Sequence, residues 1–139
     1  MAALAALPAS SCYSSNYRAE LQANTALLAE LADKLEDYCR AGFEVGGRQI
    51  SPEEMGEFYY ALSKARSWGQ ITQRRAGGRQ SYRAFMELLD DYDALVRDAD
   101  RYRLDRPRDP ARLAALAREH DAVRRRAGAV IAALGREHG

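Results

Sequence analysis

Glycine and proline divide this chain into four stretches, and within each one apolar residues recur at the three- and four-residue spacing of an α-helix. That pattern constrains the fold more than any single motif. Four stripes of about 24 residues, each roughly 36 Å long, can bury one another as an antiparallel up-down-up-down bundle when the links between them are short.

In the first stretch Leu21, Leu28 and Leu35 interleave with Leu31 and Tyr38 as a heptad seam, with Asn24 as its one polar member. Ser14, Ser15 and Asn16 can cap it and Gly42 can stop it, so the spacing predicts a helix over 16–41. The opposite face carries Glu20, Glu30, Asp33, Lys34, Glu36 and Asp37, which makes the helix amphipathic. The same seam could serve a homodimer.

Residues 42–50 contain Gly42, Gly46 and Gly47 and no helical period, so they read as a loop with at most a short extended piece at Phe43 and Val45. Ser51-Pro52-Glu53-Glu54 is the sharpest start signal in the chain. Serine can accept from orphan amides, proline suits the first helical position, and Glu54 can bond back to the cap. The helix it opens runs over 52–75 through Met55, Phe58, Leu62 and Ala65, and Ala76-Gly77-Gly78 breaks it.

The third helix, 81–104, shows a wide stripe built on Tyr82, Phe85, Leu89, Tyr92 and Val96 and broadened by Leu88, Leu95 and Tyr102, as expected of a heavily covered helix. Asp109-Pro110 then caps and opens a fourth helix over 110–134. No strand pair with hairpin chemistry stands out. The expected fold is all-α, a single four-helix bundle domain over 16–139 preceded by a flexible leader at 1–15.

The opening MAALAALPASSC lacks a positive n-region, and its apolar run is too short for a signal peptide. No stretch approaches the length of a membrane-spanning helix. Cys12 and Cys39 form no CxxC pair, which fits free thiols in a reducing compartment, so a cytoplasmic location is expected.

Chemistry-bearing sets are sparse. His120 and His138 fall on one helical face, but 18 residues of rise place them roughly 27 Å apart, too far to share an ion. A Cys39–His120 nucleophile pair lacks an orienting third group. No metal, cofactor or catalytic residue is expected, and the chain reads away from an enzyme. The remaining enzymatic reading is a small-ligand pocket lined by Tyr59, Arg66 and Tyr82.

Charge says more. The 139 residues carry 21 basic and 20 acidic side chains for a net +1, which on its face excludes a dedicated polyanion binder. That balance hides blocks of net −4 over 1–64, +5 over 65–83, −5 over 84–100 and +5 over 101–139. The 65–83 block interleaves arginine with glycine and aromatics at a predicted bundle end. Phe58, Tyr59 and Tyr60 are consecutive and cannot all enter one core, so Tyr60 is expected at the surface.

These features predict a small helical protein that binds another protein as adaptor, chaperone, regulator or inhibitor. The expected binding residues are Phe43, Tyr59, Tyr60, Trp68, Arg74, Arg75, Arg79 and Tyr82, drawn from the 42–50 loop, the aromatic start of the second helix and the Arg-rich turn. The alternative is nucleic-acid binding through the same turn and Arg124, Arg125 and Arg126. The structure must answer whether Arg74, Arg75 and Arg79 pair with the acidic stretch 90–100 or face outward.

Overall fold

The computed structural model describes the backbone of residues 9–137 and the side chains of 16–137. Four helices, α1 (Ala9–Arg40), α2 (Pro52–Ala76), α3 (Gln80–Leu104) and α4 (Pro110–Arg136), form an all-α bundle. Positions 1–8 of the expected leader, the side chain of Cys12 and all of His138 lie outside the described residues. Positions 9–15, also assigned to the leader, are helical and extend α1 beyond its expected start. None of the described helices is long and apolar enough to cross a membrane.

α3 and α4 share the most extensive interface, α1 packs on both, and α2 rests on α3 while touching α1 only lightly. The wide α3 stripe explains this order: Phe85, Leu88, Leu89, Tyr92, Leu95 and Val96 are all buried, each contributing about 1.5–3 kcal/mol of hydrophobic stabilisation. α2 buries Met55, Phe58 and Leu62 in its first half and smaller residues, Ala65, Gly69, Thr72 and Ala76, in its second. At Gly69 a Cβ would lie 3.1 Å from Met86 Sδ, so glycine permits the close approach of α2 to α3.

Leu21, Leu28, Leu31 and Leu35 point into the bundle and are buried within the single chain. A second copy could not use that seam without opening the fold. The exposed leucine of α1 is Leu27.

The 42–50 segment departs from its expected loop. Strands β1 (Glu44–Val45) and β2 (Arg48–Gln49) pair antiparallel, with Glu44 opposite Gln49 and Val45 opposite Arg48. Gly46 (φ 62°) and Gly47 (φ 79°) form the turn. Positive φ at both central residues is what a two-residue hairpin requires, so the glycine pair was the hairpin signal.

The helix starts divide into local and distant caps. Ser51 and Glu54 form the expected capping box, with Glu54 N donating to Ser51 Oγ at 3.2 Å and Ser51 N to Glu54 Oε1 at 2.9 Å. Asp109 accepts from Ala111 N at 2.9 Å. α3 has Arg79 at its N-cap with no side-chain cap of its own. Its cap comes from beyond α4: Glu137 accepts from Ser81 N at 2.8 Å and from the Ser81 hydroxyl, which also pairs with Tyr17 Oη at 2.7 Å. The first turn of α3 is thereby closed by a side chain 56 positions later in the sequence.

Candidate functional site

The expected binding residues do not form one surface. The 42–50 hairpin and the Arg-rich turn sit at opposite ends of α2, whose 25 residues span roughly 37 Å.

Two of these residues are interior. Phe43 is fully buried in an αL conformation (φ 62°), packed near Tyr102 with the Arg108 guanidinium 5.5 Å from its ring centroid. Full burial of its ring removes it from any surface site. Tyr82 is also buried, its hydroxyl donating to the Gly69 carbonyl at 2.7 Å across the α2–α3 contact.

Trp68 is half-buried, stacked on Tyr17, edge-on to Phe85, and donating from Nε1 to Glu20 at 3.1 Å. Its faces are committed to the fold. Tyr59 is half-buried and donates to Asp100 at 2.9 Å, and burial together with that acceptor pushes its phenol up to about 12. Arg66 reaches Asp93 at 2.9 Å, so Tyr59, Arg66 and Tyr82 each satisfy a separate partner along the α2–α3 interface.

Tyr60 is 67% exposed with the Lys64 ammonium 5.3 Å from its ring centroid, and Ile71, three turns on along the same face, is 74% exposed. Arg74 and Arg75 are exposed beyond it. Arg79 lies 4.7 Å over the Tyr17 ring.

The acidic stretch of α3 does not neutralise that turn. Asp93 is held by Arg66 and Arg97, Asp91 by Arg126, Asp100 by Arg103, and Asp98 lies 3.7 Å from Arg101. Those arginines come from mid-α2, α3 itself and α4. Arg74 and Arg83 are exposed and make no ion pair among the described residues. Arg18 also falls at this end, where it donates to the Leu134 carbonyl at 3.1 Å, and the nearby carboxylates of Glu20 and Glu137 serve Trp68 and Ser81. In the second basic run, Arg124 pairs with Asp33 at 3.3 Å and Arg126 with Glu87 and Asp91, leaving Arg125 as its unengaged member among the described residues.

The hairpin end carries polar groups inside the fold, of which the residue pattern suggests only His120, as a partly buried side chain beside Arg or Glu. His120 is buried; its Nε2 lies 2.6 Å from Asp33, and its Nδ1 approaches Glu36 at 3.0 Å without hydrogen-bond geometry. The neighbouring Glu119 meets Asp98 on α3. Adjacent helical residues point about 100° apart, so one dipeptide of α4 addresses two different helices. The one signal in the sequence was a histidine on an apolar face. Cys39 is buried nearby, and burial, with Glu36 adding to it, pushes its thiol up to about 12. Among the described residues no group of three or more His, Cys, Asp or Glu is placed to hold a metal ion.

No protein-family model matches this chain, and no curated protein or solved structure matches it either.

Proposed function

We propose that this protein is a small helical binding module that engages another protein, as adaptor, chaperone, regulator or inhibitor. It would bind through the Arg-rich end of the bundle and the adjoining outer face of α2. The observation that carries this reading is the exposure of Arg74 and Arg83 without ion pairs while every nearby carboxylate is engaged within the fold. Ile71 adds exposed apolar area one turn from Arg74, with Tyr60 three turns back along the same face, and exposed aromatic and arginine side chains are the common anchors of protein interfaces. The buried thiol of Cys39 suits a reducing cytoplasm.

A photo-crosslinking residue at position 71, used in the native cell, tests this directly. One dominant protein adduct is expected, and Arg74→Glu with Arg83→Glu should remove it. Adducts spread over many proteins and indifferent to those substitutions would reject the reading.

Nucleic-acid binding is the second reading, favoured by the same exposed arginines. Its stacking half is weakened because Trp68 and Tyr82 are committed to the fold, leaving phosphate contacts alone. Titration with duplex DNA and RNA separates the two. Contacts to about four phosphates would give a log–log salt slope near −4.

A further inference from the structure

The α3–α4 interface brings two carboxyl groups together, one of which keeps an oxygen without a donor among the described residues. Asp98 of α3 and Glu119 of α4 meet side chain to side chain, and both line a groove of about 310 Å³ together with Arg101, Arg112, Ala115 and Leu116. Glu119 Oε2 is buried and no donor reaches it among the described residues. Two carboxylates have only acceptor oxygens, so a hydrogen bond between them exists only when one carries a proton.

We propose that Asp98 and Glu119 share one proton across the α3–α4 interface, and that this proton is a pH-responsive joint which tightens the bundle when present and loosens it when lost.

The surroundings define the joint. α3 contributes Asp98 and Arg101, and α4 contributes Glu119 and Arg112. From α1 the neutral Cys39 thiol lies near Glu119, and Arg108 of the connection before α4 and Glu36 also act on that thiol. Arg101 sits 3.7 Å from Asp98 and Arg112 3.5 Å from Asp105, so both rim cations already have acidic partners and neither reaches Glu119 Oε2. His120 turns away to Asp33 and Glu36 on α1.

Burial first, then the hydrogen bond and charge of Asp98, push the Glu119 carboxyl from its ordinary 4.5 up to about 8. The sign follows from linkage. A carboxyl that holds its proton more tightly in the folded state stabilises that state fully below the unfolded value near 4.5, and the stabilisation is lost progressively as pH rises to about 8. This is opposite to the usual salt-bridged carboxylate. It acts on the most extensive interface in the molecule.

Urea unfolding of the full chain at pH 5, 6, 7 and 8.5 tests the joint, with Glu119→Gln as comparison. The amide donates to Asp98 without needing a proton. The wild-type unfolding equilibrium constant should grow several-fold per pH unit relative to that of Glu119→Gln, within the limit of about tenfold set by one proton. Identical pH dependence in the two proteins would overturn the proposal. Should Glu119→Gln fail to fold, carboxyl carbon NMR of the wild type gives an independent reading. A Glu119 midpoint between pH 7 and 9 supports the shared proton, and one near 4.5 rejects it.

Discussion

The two ends of this bundle handle charge in opposite ways. At the hairpin end ionisable groups lie inside beside the buried Phe43: Cys39 is buried, His120 sits against Asp33 and Glu36, and Glu119 meets Asp98. At the Arg-rich end Arg74 and Arg83 stand in solvent, and the local carboxylates are used as structural acceptors for Ser81 and Trp68. Substitution at the first end should therefore cost stability, and substitution at the second should cost binding. Under the proposed function, that division would separate a structural end from a recognition end.

The largest effect is expected at Phe43. Phe43→Ala should lower the unfolding free energy by about 3–5 kcal/mol in urea, whereas Tyr60→Ala on the exposed face should stay within about 0.5 kcal/mol. Comparable losses at both positions would break the contrast.

Next is the long-range cap. Ser81→Ala removes the hydroxyl that Glu137 and Tyr17 share and should destabilise by about 1–2 kcal/mol. Amide exchange should quicken first in the opening turn of α3.

Acid should act on the caps at both ends. The Arg48 guanidinium first, and then the Ser51 amide, hold Glu54 down to about 2. At Glu137 burial works upward, but the Ser81 hydroxyl and amide together with Arg79 outweigh it and leave the carboxyl lowered. Lowered carboxylates stabilise above their ordinary value near 4.5, so both contributions should fall as pH drops below about 4.5, that of Glu54 continuing toward 2. Glu54→Gln should flatten that acid limb in a circular-dichroism titration.

Cys39 should resist alkylation in the native state, because the thiolate is the reactive form and its thiol is held near 12. Peptide mass spectrometry should find it modified only after denaturant is added. The smallest effect on stability, within about 0.5 kcal/mol, is expected of Arg74→Glu with Arg83→Glu. The same pair should abolish partner crosslinking from position 71.

The residues themselves account for much of this architecture. The Ser51-Pro52-Glu53-Glu54 box and Asp109-Pro110 mark helix starts that hold in three dimensions because a cap is a contact within a few residues. The α1 heptad and the α3 stripe likewise predicted which leucines are buried. The hairpin at Gly46-Gly47 is legible too, in a glycine pair whose segment reads as a loop with a short extended piece at Phe43 and Val45.

What the residue order did not contain is which charge meets which. Arg66, Arg97, Arg103 and Arg126 reach the acids of α3 while Arg74 does not, because helix rotation and rise, set by core packing, decide which side chains arrive within about 4 Å. The burial of Phe43, the cap that Glu137 sends to Ser81 and the meeting of Asp98 with Glu119 share that origin. Local hydrogen bonding and periodicity specify the four helices from the sequence alone. The net +1 of the chain becomes a neutralised end and a basic end only when tertiary packing selects the partners.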